Sequence, residues 1–237
     1  EEGRREERES LRAAFLAVDA AFEEHCRREA LFDGTTAVAA LVAGGRVTVA
    51  NAGDSRALLV RRGARALALS DDHKPSRPDE HARVTGLGGR VVHWGRWRVE
   101  GVLAVSRAIG DRRLKPYVTA EPELRSHLIG EDDLYLVLAS DGIWDVMSNQ
   151  QVARFVIGSQ DFKWVARELC DEAFAHGSTD NVCALVVDLK NERRTAAAGG
   201  GGGRAGTAAT SDDGEDDSAA SGDGDGGGWA AEGGGGV

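Results

Sequence analysis

The sequence predicts an α+β fold, an antiparallel β-sandwich flanked by helices in α-β-β-α layers. Two features carry this expectation. Short β-branched or apolar runs and helix-period stripes come in blocks instead of strict alternation, which favours a layered sandwich over a doubly wound parallel sheet. Residues 134–139, Leu-Tyr-Leu-Val-Leu-Ala, are apolar throughout, as a central strand buried on both faces is. The 237 residues, 41% apolar and 29% charged, suffice for one sizeable core.

Leu11, Ala14, Phe15, Val18 and Phe22 repeat at helical spacing among charged residues. They predict an amphipathic helix of about twenty residues, lying on something. After Gly34 the pattern shortens to runs at 36–42, 46–50, 57–60 and 66–69, broken at Gly44-Gly45, Gly53-Asp54 and Gly63. Those breaks predict strands joined in an antiparallel meander. A polar stretch with Pro75 and Pro78 leads into a short helix around 79–85. Gly86-Leu-Gly88-Gly89 does not follow a strand as a nucleotide loop would, so it reads as a helix-ending turn. Residues 97–105 read as another strand. Ser148-Asn149-Gln150-Gln151 has the form of a capping box. Phe162, Val165, Leu169 and Phe174 predict a helix stopping near Gly177, and 182–189 form the last strand.

Residues 1–192 are expected to form one domain and 193–237 a tail. From Thr195 onward the chain holds 16 of its 32 glycines, and eight acids against one Arg. Such a segment buries too little apolar surface to offset its ordering entropy, so a disordered acidic extension is expected. It carries −7 of the net −10, leaving −3 for the body; without a basic excess, nucleic acid is not an expected partner. Cys26, Cys170 and Cys183 have no paired spacing, which argues against a disulfide framework or a zinc site and suggests ordinary buried thiols. None is followed by Arg six positions later, so the phosphate loop of cysteine phosphatases is absent. No apolar run has membrane-spanning length, and the first residues do not form a signal peptide. The expectation is an intracellular protein, in the cytoplasm, the nucleus or both, and monomeric.

The chemistry is concentrated in aspartates delivered by strand ends. The apolar run 134–139 leads directly into Ser140, Asp141 and Gly142, with Asp145 four residues on. Asp54 follows the strand at 46–50 in a tight glycine turn, and Asp180 precedes the last strand. Carboxylates buried together are costly unless a cation joins them, and hard ions such as Mg²⁺ or Mn²⁺ favour such oxygen donors. Two ions about 3.5–4 Å apart would acidify a bridging water and stabilise an in-line displacement at phosphorus.

Six ordered runs now make a resemblance specific. They are Gly34-Thr-Thr-Ala37, Val49-Ala-Asn-Ala-Gly-Asp-Ser-Arg-Ala57, Asp71-Asp-His-Lys-Pro75, Val102-Leu-Ala-Val-Ser-Arg-Ala-Ile-Gly-Asp111, Ala139-Ser-Asp-Gly-Ile-Trp-Asp-Val146 and Thr179-Asp-Asn-Val182. Over 11–189 the chain resembles the protein phosphatase 2C family of metal-dependent Ser/Thr phosphatases, most closely its plant branch. The resemblance implies that Asp141 and Asp180 hold a catalytic pair of Mg²⁺ or Mn²⁺ ions. Asp54 and Asp145, with Asp141, would hold a weaker third ion. It further implies that a metal-bridged water attacks phosphoserine or phosphothreonine of phosphorylated proteins directly, without a covalent enzyme intermediate.

The family's upstream motifs are not found in these 237 residues: no Asp-Gly-His is present, nor a counterpart of the Arg that grips phosphate. The chain is therefore expected to be the C-terminal portion of the fold, N-terminally truncated, with weakened metal affinity and open sheet edges. The family's acid and gripping Arg leave no catalytic residue to name. The alternative is an inactive module that binds kinases or phosphatase substrates. Trp94 aligns with a segment in which some plant members present a Trp to hormone receptors, making it a candidate partner contact, whereas Trp97 is expected in the core. Arg56 and Arg107 are expected to pair with neighbouring carboxylates, and His73 and Lys74 to be structural.

Overall fold

The computed structural model describes residues 2–190, so the tail expected at 193–237 lies outside the described residues. In chain order the elements are α1 (Glu2–Arg28), β1 (Gly34–Thr35), β2 (Ala37–Ala43), β3 (Arg46–Ala52), β4 (Arg56–Arg61) and β5 (Arg65–Ala68). There follow α2 (Pro78–Gly86), β6 (Val91–Trp94), β7 (Arg96–Val99), β8 (Ile109–Gly110), β9 (Glu123–Leu128) and β10 (Asp133–Ala139). The last are α3 (Asp141–Trp144), α4 (Asn149–Gly158), α5 (Val165–Ala175) and β11 (Ala184–Asp188).

Two antiparallel sheets form the centre, one ordered β11-β10-β4-β5 and the other β2-β3-β9. The side-chain period of two sorts each strand between layers. Val47 and Val49 of β3, Leu59 of β4 and Leu136 of β10 point into a shared core between the sheets. Their sequence neighbours Leu58, Val60 and Val137 face the opposite way, onto Ile143, Val152, Val156 and Leu169 of α3, α4 and α5. On the far side, Ala50 and Ala52 of β3 receive Phe15, Leu11 and Phe22 of α1. The predicted α-β-β-α layering follows. Leu58, Leu59 and Leu136 are fully buried, each contributing about 1.5–3 kcal/mol from removal of apolar surface from water. A smaller core of Val84, Val99, Ala108 and Val118 seats α2 and the β6–β7 hairpin beside the sandwich.

Several expectations are corrected. The meander is two hairpins in different sheets: β2 pairs with β3 and β4 with β5, while the chain crosses between layers at Gly53-Asp54-Ser55. Both faces of β3 and β4 are apolar, and stacking them in opposed sheets covers all four faces. The strand expected over 97–105 ends at Val99, where Glu100 and Gly101 take φ of 53° and 72°. Val18 of α1 is exposed. Phe174 is exposed as well, and Phe162 precedes α5 and stacks on Tyr135, the ring centroids 5.5 Å apart. Of the three thiols only Cys26 is buried; Cys170 is half-buried and Cys183 exposed. Trp97 is 42% exposed instead of buried, because the short hairpin that carries it has one face turned outward. The capping box at Ser148 forms as expected, with Gln151 bonded back to the Ser148 amide. The helix-ending turn after Gly86 also forms.

Candidate functional site

The four aspartates reach one end of the sandwich by different local devices. Ser140, just past the end of β10, is extended and is the N-cap of α3, which begins at Asp141. One helical turn on, the Asp145 amide bonds the Asp141 carbonyl at 2.9 Å, so the two acids share a helical face. Asp180 lies between α5 and β11, and this loop is stitched to the start of α3. The Ser140 amide donates to the Cys183 carbonyl at 3.1 Å and the Cys183 amide to Ser140 Oγ at 3.0 Å. Ser178 Oγ donates to the Gly142 carbonyl at 2.7 Å. Gly142 is required there, since a Cβ would sit 2.5 Å from the Asn181 carbonyl oxygen.

Asp54 is held from behind. Gly53 adopts φ 121°, and a Cβ there would stand 2.3 Å from Thr36 Cγ2. The buried His73 brackets this turn: its amide donates to the Gly53 carbonyl at 2.9 Å, and its Nδ1 accepts the Gly53 N–H at 3.1 Å. Burial, followed by the charge of Arg107, lowers the His73 pKa to about 4. Behind His73, Glu80 is buried and receives Arg107 at 2.6 Å, Arg83 at 2.8 Å and Ser106 Oγ at 2.6 Å. Burial alone would raise Glu80, but these donors outweigh it and hold the carboxyl well below the usual range. Arg56 is likewise committed, forked onto Asp72 at 2.9 Å on both arms. Arg56 and Arg107 thus pair with carboxylates as the sequence predicts.

Electrostatically the four acids form one cluster. Burial raises the Asp141 pKa, the charges of Asp54, Asp180 and Asp145 raise it further, and Lys74 opposes them. Two of the carboxylates meet cations of the chain itself: Lys74 Nζ donates to Asp54 Oδ2, and Arg96 Nη2 donates to Asp145 Oδ2 at 3.1 Å. Among the described residues no three His, Cys, Asp or Glu side chains converge tightly enough to cage a metal ion. The acids repel one another, and Asp54 and Asp145 are drawn toward cations of the chain.

Asp145 and Asp180 open onto a cleft of about 620 Å³, also lined by Lys74, His93, Arg96 and Trp97. Trp97 packs edge-on to His93 with centroids 5.1 Å apart, forming an aromatic side to the cleft, while Trp94 at the hairpin end is 77% exposed. Sequence reasoning assigned Lys74 a structural role and passed over Arg96. Both meet their acids through folding, 20 and 49 residues away, with no local pattern to announce it.

A layered α+β sandwich with a cluster of aspartates beside a cleft at its strand ends is the class that fold and site define. The family model described as Protein phosphatase 2C matches residues 1–182, and the chain belongs to that family. It is similar to "Probable protein phosphatase 2C 76" of Arabidopsis thaliana, 43% identical over 184 residues covering 78% of this chain and 44% of the relative. It is also similar to "Probable protein phosphatase 2C member 13, mitochondrial" of Oryza sativa subsp. japonica, 48% identical over 68% of this chain and 44% of the relative. The chain thus spans less than half the length of these curated relatives. Among solved structures it resembles serine-threonine phosphatase 2C from Toxoplasma gondii, with TM-score 0.70 and 26% identity over 76% of this chain and 66% of that one. A C. elegans sex determining protein gives TM-score 0.72 and 28% identity over 79% of this chain and 48% of that one.

Proposed function

We propose that the cleft serves hydrolysis of phosphoserine and phosphothreonine in phosphorylated proteins. In this reading Asp141 and Asp180 hold Mg²⁺ or Mn²⁺ and contribute to a pair of ions, and Asp54 and Asp145 join Asp141 around a weaker third. The observation that supports it best is the repulsion focused on Asp141 by Asp54, Asp180 and Asp145, which a divalent cation offsets. Carboxylates are hard oxygen donors, so the chemistry of the donor set fits these ions. Ions bound there supply the positive charge and water activation that displacement at phosphorus requires.

The chain's own residues divide the remaining work. The bonds among Ser140, Gly142, Ser178 and Cys183 hold the Asp141 and Asp180 backbones in fixed relation. Lys74 balances the charge of the largely buried Asp54. Trp94, exposed beside the cleft, offers a contact for a partner such as a receptor or kinase, and the protein works as a monomer in the cytoplasm, the nucleus or both. Hydrolysis of a phosphothreonine peptide with Mn²⁺, compared with Asp141→Asn, tests the reading. Metal-dependent turnover lost in the variant is expected; equal background rates in both would leave the chain a binding module and end the enzymatic reading.

A further inference from the structure

We propose that Arg96 is a phosphate-binding arm of the cleft, held by Asp145 while the cleft is empty and exchanged onto the substrate's phosphate when a phosphorylated residue enters. The substrate class rests on the phosphatase reading above; the placement of the arm rests on geometry. Arg96 begins β7 opposite Trp94, just after Gly95, whose φ of 66° makes the tight turn. The hairpin therefore carries the guanidinium out to the cleft, where it meets Asp145 at 3.1 Å.

Arg96 differs from the neighbouring cations in how firmly it is held. Lys74 is tied to Asp54, whose side chain is only 9% exposed. Arg107 is tied to buried Glu80, and Arg56 to Asp72 while lying over the Trp144 ring. The Arg96–Asp145 pair is open to water, with side chains 64% and 39% exposed. A pair so exposed contributes about 0–1 kcal/mol, and its partners exchange readily. A guanidinium also presents its donors in a fork that matches two phosphate oxygens, and a phosphate dianion attracts it more strongly than one screened carboxylate. Ser76 and Thr179 also line the cleft, and their hydroxyls can donate to the remaining oxygens.

The test reads binding and needs no turnover. A fluorescent phosphothreonine peptide is titrated by anisotropy, in EDTA, against the full chain and the variants Asp145→Asn, Arg96→Ala and the double variant, with the unphosphorylated peptide as control. Circular dichroism verifies that each variant is folded. Asp180→Asn serves as the charge control, since it removes a negative charge from the same cleft without releasing Arg96. Asp145→Asn is expected to tighten phosphopeptide binding about two- to fivefold, the equivalent of the ion pair it dissolves. In the Arg96→Ala background the same change should bring no more than the charge control does. An equal gain with and without Arg96, a gain shared by the unphosphorylated peptide, or binding undetectable in every variant overturns the proposal. If peptide hydrolysis fails while this coupling holds, the phosphatase reading falls and the arm stands; hydrolysis without the coupling removes the arm alone.

Discussion

The Nδ1 atom of His73 stands 3.1 Å from the backbone nitrogen of Gly53, the residue at which the chain leaves one sheet for the other just before Asp54. The Gly53 carbonyl already accepts from the His73 amide and from Asn51 Nδ2. His73 Nδ1 lies 3.1 Å from both the nitrogen and the carbonyl oxygen of Gly53, so the ring packs its Nδ1 edge against this one peptide position.

This neutral, buried ring makes stability depend on pH in a defined window. The His73 pKa is about 4 in the folded chain against 6.5 ordinarily, so between these values the unfolded chain binds more protons. The contribution is present in full above pH 6.5 and is lost as pH falls toward 4. Glu80, held low, loses its contribution only below its own ordinary value of 4.5. Between pH 6.5 and 4.5 urea denaturation should therefore show a loss on the order of 2–3 kcal/mol. His73→Gln should flatten that slope; an unchanged slope in the variant would exclude His73 as its source.

The crossover turn should tolerate no side chain at position 53. Gly53→Ala meets both the φ of 121° and Thr36, and is expected to cost about 2–4 kcal/mol from strain and crowding together. Gly44→Ala, also at positive φ but with nothing within 4 Å, should cost about 1 kcal/mol. Urea midpoints at unchanged m-value measure the difference. Equal losses at both positions would show that Thr36 does not close over the turn.

Removing charge from the acid cluster should not harm the fold. The raised Asp141 pKa means that ionising this group opposes folding at neutral pH, with the contribution lost as pH rises through the folded value. Asp141→Asn should thus unfold at the same temperature as the unaltered chain or a few degrees higher when divalent ions are chelated. The stabilisation that MgCl₂ confers on the unaltered chain by binding the folded state should be abolished. A variant markedly less stable in EDTA would mean that Asp141 makes a structural bond instead of bearing repulsion.

Much of this organisation was legible in the residues. Val47 and Val49 alternate with Ala50 and Ala52 in destination as period two requires. The run at 134–139 is a central strand for the reason its composition suggests, with Leu136 and Val137 entering different cores. The positions of Asp54, Asp141, Asp145 and Asp180 at strand and helix boundaries were equally readable, because turn glycines and strand ends leave local marks. Trp97 was misplaced because a period-two pattern in a short hairpin does not reveal whether the face it defines is covered.

By itself, then, the sequence determined the layers, the element boundaries near the acids, the family and the acid cluster, all of which rest on short-range periodicity or contiguous motifs. Only the tertiary structure decided that β3 and β4 lie in opposed sheets, since alternation tells a strand which faces to bury and not which neighbour to join. It also decided that Lys74 meets Asp54 and Arg96 meets Asp145. An ion pair between distant residues needs no particular sequence spacing, only a fold that brings two side chains within reach.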